Sequence, residues 1–112
     1  MVRRSFTAVI ERNTTLTGSF ETEPYETGWA IEALWFVNVL KMEGDAPKLK
    51  LRGQVSPDGL CWCDAPCPPV EIDCEGLYSF SMREFGNWLR IAGGVSGDDA
   101  GARVIIYLAL KG

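Results

Sequence analysis

Short runs of alternating apolar and polar residues, separated by clusters of turn formers, make up most of the chain, and little of it repeats with a helical period. Residues 4–11 place Phe6, Ala8 and Ile10 on one face and Ser5, Thr7 and Glu11 on the other. After Asn13, the threonine-rich stretch 14–21 predicts a turn and a short strand. Residues 48–55 alternate most cleanly, with Leu49, Leu51 and Val55 inward and Lys48, Lys50, Arg52 and Gln54 towards solvent. Ser56-Pro57-Asp58-Gly59 then predicts a tight turn: Pro57 presets φ, Asp58 and Gly59 form the tip, and glycine accepts the left-handed position. Residues 60–64 return antiparallel as a hairpin. Further strands are expected at 70–74, 77–83, 88–95 and 102–110. This spacing predicts one all-β domain spanning residues 1–112, an antiparallel two-sheet β-sandwich of jelly-roll type.

Residues 29–42 also fit a 3.6-residue period, through Ala30, Ile31, Ala33, Leu34, Val37 and Leu40. Trp35-Phe36-Val37 and Val39 favour a strand, because aromatic and β-branched side chains suit a pleated surface. A sandwich strand needs only one apolar face, and two segments exceed that. Trp35, Val37 and Val39 oppose Leu34, Phe36 and Leu40; Ile105, Tyr107 and Ala109 oppose Val104, Ile106, Leu108 and Leu110. Trp35, Val37, Val39, Ile105 and Tyr107 are therefore expected to be buried against other copies or a lattice, with a covering loop at residues 25–30 as the alternative.

Composition narrows the function classes. The chain has 112 residues, 15 acidic and 11 basic, with a net charge of -4, which argues against binding nucleic acid through its phosphates. It has no histidine, which removes the commonest general base and metal ligand and leads us to expect a non-enzymatic protein without cofactors. Glu11 and Arg12 interrupt the N-terminal stretch before an apolar core can form, so no signal peptide is expected. No apolar run approaches the length of a membrane span. Asn13-Thr14-Thr15 matches a glycosylation sequon, of little weight without a secretory route.

Cys61, Cys63, Cys67 and Cys74 follow the pattern C-x-C-x3-C-x6-C. One or more disulfides, a four-thiolate metal site and four reduced thiols are all open. The spacing lacks the C-x2-C pairs of ribbons and knuckles, and four cysteines do not dictate their pairing. Asp98 and Asp99 between Gly97 and Gly101, and Asp58 with Asp64, offer oxygens to a cation, although a solvated turn explains them as well. Glu23, Glu26 and Glu32 lie near Trp29 but fix no carboxylate spacing for a hydrolase. Trp29, Trp62 and Trp88, with Tyr25 and Tyr78, are candidate ligand aromatics, which gives a carbohydrate-binding module as the alternative function.

The stretch Leu51-Arg52-Gly53-Gln54-Val55-Ser56-Pro57-Asp58-Gly59, followed by Trp62 and Asp64, resembles a hairpin of small β-sandwich virion proteins of tailed phages. Gly86-Asn87-Trp88-Leu89-Arg90-Ile91, Val95-Ser96-Gly97 and the ending Val104-Ile105-Ile106-Tyr107-Leu108-Ala109-Leu110-Lys111-Gly112 are similar to the closing segment of such proteins. The four cysteines depart from that pattern. The resemblance implies a virion component made in the host cytoplasm. Its implied form is a trimeric capsid-decorating module, with itself and a capsid protein as partners and neither nucleic acid nor membrane.

Overall fold

The structure, a computed structural model, describes residues 5–83 and 85–112. Eight strands follow in order: β1 (Ser5–Leu16), β2 (Gly18–Glu21), β3 (Tyr25–Glu26), β4 (Glu32–Ser56), β5 (Cys63–Asp64), β6 (Val70–Ile72), β7 (Gly76–Arg83) and β8 (Trp88–Lys111). The fold is all-β and antiparallel, a β-sandwich in one domain. Residue 4, where the first strand is expected to start, and the first three residues of the N-terminal stretch lie outside the described residues.

The organising feature is a ribbon formed by the two long strands. β4 has 25 residues and β8 has 24, and they pair from Glu32↔Lys111 through to Ser56↔Trp88. The ladder shifts register between Val39 and Lys48, where the ribbon bends. Gly44, Ala46, Gly97 and Asp99 all have positive φ there, so both strands turn together without separating. One half of the ribbon is flanked by β7 and β1, the other by β5 and β6 on one side and β2 and β3 on the other. We call these halves the first and second layers. What reads in sequence as two pairs of separate strands is thus a single pair running through both layers.

The layers close on one core. Trp35, Val37 and Val39 of β4, with Val104, Ile106, Leu108 and Leu110 of β8, face Leu49 and Leu51 and Leu89 and Ile91 from the other layer, all essentially without exposure. Burying side chains of this size contributes roughly 1.5–3 kcal/mol each, the dominant favourable term for a fold with so few local contacts. Gly53 admits Met82 from the opposite layer, since a Cβ there would stand 2.7 Å from its sulfur. Trp35 also donates its indole N–H to the Met82 sulfur at 3.2 Å and stacks on Phe80. The buried threonines are paired: the Ile91 N–H donates to Thr22 Oγ1 at 2.9 Å, and Thr27 Oγ1 donates to the Asn87 carbonyl at 3.2 Å.

Candidate functional site

The two outer faces of the sandwich differ in chemistry, and each follows from strand parity. In the first layer, residues directly opposite on neighbouring strands point to the same side. Leu34 lies beside Ala109 and Ser81, Phe36 beside Tyr107 and Ser79, and Asn38 beside Ile105 and Leu77; Val9 of β1 adjoins Tyr107. Leu34, Phe36, Ile105 and Tyr107 are half-buried, while Leu77 is 65% exposed, Leu40 42% and Val9 38%. This is a largely apolar face, with Ser79 and Ser81 of β7 along one side and Asn38 within it.

Its composition corrects the sequence reading of β4. Trp35, Val37 and Val39 were expected at an interface, but they are 0%, 0% and 2% exposed in the molecule's own core. The outward set is Leu34, Phe36, Asn38 and Leu40. Both sets are apolar, so the alternation carries no direction of its own; Asn38, the one polar member, marked the outer side. Ile105 and Tyr107 do lie on the outer face. Residues 25–30, the alternative cover, lie beside the start of β8 and near Gly112: Tyr25 pairs with Leu89 and Trp29 packs against Gly112.

The outer face of the second layer is polar and concave. Lys48, Lys50, Arg52 and Gln54 of β4 lie beside Ser96, Gly94, Ala92 and Arg90 of β8. Across it runs a chain of contacts. Arg90 pairs with Glu21 at 2.6 Å and donates to Gln54 Oε1 at 2.8 Å; Gln54 donates to Asp64 at 3.0 Å, which also accepts Arg52 at 3.1 Å. Gln54, expected in solvent, is therefore almost buried. The Arg90 guanidinium covers the Trp62 ring, 4.3 Å from its centroid.

The turn that follows β4 is held by the side chains of Ser56 and Asp58. Ser56 Oγ accepts the N–H groups of Asp58 and Gly59 at 3.2 and 2.8 Å and donates to Asp58 Oδ1 at 3.0 Å. That oxygen also accepts the N–H groups of Leu60 and Cys61 at 2.9 and 3.0 Å. The backbone donors of Cys61 and Leu60, with the Ser56 hydroxyl, hold the Asp58 carboxyl below its ordinary 3.8. Pro57 is exposed at the tip, and Gly59, at φ 81°, packs under Trp88. The strand after the turn is shorter than expected: only Cys63 and Asp64 pair with β4.

The four cysteines are dense in sequence but not gathered in space. All are free thiols: Cys61 and Cys63 exposed near the hairpin, Cys67 packed at the core's margin, and Cys74 exposed before β7. Tyr78 donates its hydroxyl proton to the Cys74 carbonyl at 2.9 Å, and its oxygen lies 3.1 Å from the Cys74 sulfur. Among the described residues, no three cysteine, aspartate or glutamate side chains converge on a position that could hold a metal, Asp58, Asp64, Asp98 and Asp99 included. Nor do the tryptophans make one platform. Trp62 is capped by Arg90, Trp88 packs against Gly59, and Trp29 lies by Gly112.

No family model and no curated protein match the chain. Its fold is similar to that in the crystal structure of the PBSX exported protein XepA, with a TM-score of 0.67 and 11% identity over 94% of this chain and 36% of that one. It is similar too to a chain in the structure of the infectious bursal disease virus Gx strain, with a TM-score of 0.54 and 11% identity over 97% of this chain and 32% of that one. The chain thus spans about a third of the length of each. At this identity the likeness is one of fold.

Proposed function

We propose that the protein is a non-enzymatic structural component of a phage-like particle, assembled from several copies through the outer face of its first layer. The observation that carries this reading is the apolar outer face of Leu34, Phe36, Leu40, Leu77, Ile105 and Tyr107, on which Leu40 and Leu77 are exposed and the other four half-buried. Burying even about 300 Å² of such surface contributes on the order of 7 kcal/mol before association entropy is subtracted. Repetition across a lattice then turns modest contacts into durable attachment. The lack of histidine and the likeness to folds of a phage-encoded and a viral protein support the same reading.

In its specific form the protein is a trimeric module that decorates and stabilises a capsid, met at local three-fold positions. Electron microscopy of the purified protein, and of particles labelled with antibody against it, tests both levels. Discrete closed oligomers and regular labelling of heads are expected. Single compact monomers together with unlabelled particles would contradict the proposal, and labelled tails would contradict its capsid form alone.

A further inference from the structure

A groove of about 520 Å³ runs along the outer face of the second layer, opposite the apolar face. Its floor is a strip of β8 carrying only small side chains, Ala92, Gly94 and Ser96. One wall is Lys48, Lys50 and Arg52 on β4; the other is Ser19 and Glu21 on β2. The walls stand two strand spacings apart, about 9–10 Å, which is room for one extended chain. Arg52 is held by Asp64 and Arg90 by Glu21 and Gln54. Lys48 and Lys50 form no ion pair among the described residues, although Glu71 is the cross-strand neighbour of Lys50. These are two available cations in a chain of net charge -4.

Their spacing identifies the occupant. Alternate residues on a strand are about 6.6–6.8 Å apart, so Lys48 and Lys50, continued by Arg52, repeat at the interval of alternate side chains in any other extended peptide. We propose that this groove binds an extended acidic peptide segment of a partner protein, with carboxylates at alternate residues. The acidic side chains lie along Lys48 and Lys50, and the backbone crosses the bare strip over Ala92 and Gly94. A sugar chain suits it poorly, since no tryptophan or tyrosine lines it for stacking. The inference uses a face separate from the proposed oligomer contact and goes beyond it.

Fluorescence anisotropy on the full chain tests the groove, with a labelled hexapeptide alternating threonine and glutamate as probe. The control peptide has the same composition with its three glutamates in a block. The alternating peptide is expected to bind about tenfold tighter than the control and to weaken as salt rises. Lys50→Glu and, separately, Lys48→Glu are expected to reduce its affinity about tenfold, with circular dichroism and light scattering unchanged. Absence of binding, equal binding of the two peptides, or indifference to both substitutions would overturn the proposal. So would displacement of the peptide by an oligouronate or a single-stranded oligonucleotide of equal charge at lower concentration than the unlabelled peptide. Because Lys48 and Lys50 lie off the apolar face, loss of peptide binding and loss of the oligomer are read independently.

Discussion

Gly93 and Gly94 are neighbours in β8 with opposite tolerance for a side chain. A Cβ on Gly93 would collide with the Lys50 carbonyl oxygen, a backbone atom that cannot swing away, whereas one on Gly94 meets nothing nearer than 3.6 Å. Gly93→Ala is therefore expected to cost about 3 kcal/mol or more and Gly94→Ala less than about 1 kcal/mol, measured by urea unfolding. Leu51 and Lys50 form a second contrast, since Leu51 is wholly buried and Lys50 exposed. Leu51→Ala is expected to destabilise by about 2–5 kcal/mol and Lys50→Ala to be nearly silent. At Asp58 the depressed carboxyl pKa means its contribution is complete above 3.8 and is lost as pH falls through the lower folded value. A carboxyl titration by NMR is expected to show an Asp58 midpoint below 3.8; a midpoint at or above that value would contradict the turn geometry.

At the scale of elements, the sequence was legible where polar residues break the apolar pattern and illegible where they do not. Residues 48–52 carry cations at every second position, so Leu49 and Leu51 could face only inward. In Leu34-Trp35-Phe36-Val37 nothing polar marks a side and Asn38 alone hints at it; the partners decide, with Trp35 between Phe80 and Leu108 and Phe36 between Ser79 and Tyr107. Trp35→Ala is thus expected to cost about 3–5 kcal/mol in unfolding experiments, while Phe36→Ala leaves the fold largely intact. In the sequence, the stretches around Gly44 and Gly97 fall between expected strands. They do bend the chain, but both bends fall at the same level of one ladder, so β4 and β8 stay paired across them. That coincidence depends on long-range register, which no local window contains. The short strand Tyr25–Glu26 escaped notice for the same reason, because its pairing with Leu89 and Trp88 gives it no pattern of its own.

For the whole molecule, the two-layer fold leaves one outer face apolar and the other charged, and the account rests on the apolar one. The cysteines are secondary to it. With Cys61, Cys63 and Cys74 exposed and Cys67 partly covered, a maleimide reagent is expected to label the first three quickly, Cys67 more slowly, and all four after denaturation without reductant. The most direct measurement is size-exclusion chromatography with light scattering across micromolar concentrations, for the natural chain and for Phe36→Asp and Tyr107→Asp. The expected result is a defined oligomer for the natural chain and monomers with unchanged circular dichroism for both variants. A natural chain that stays monomeric at high micromolar concentration, or variants whose mass matches it, would contradict the account.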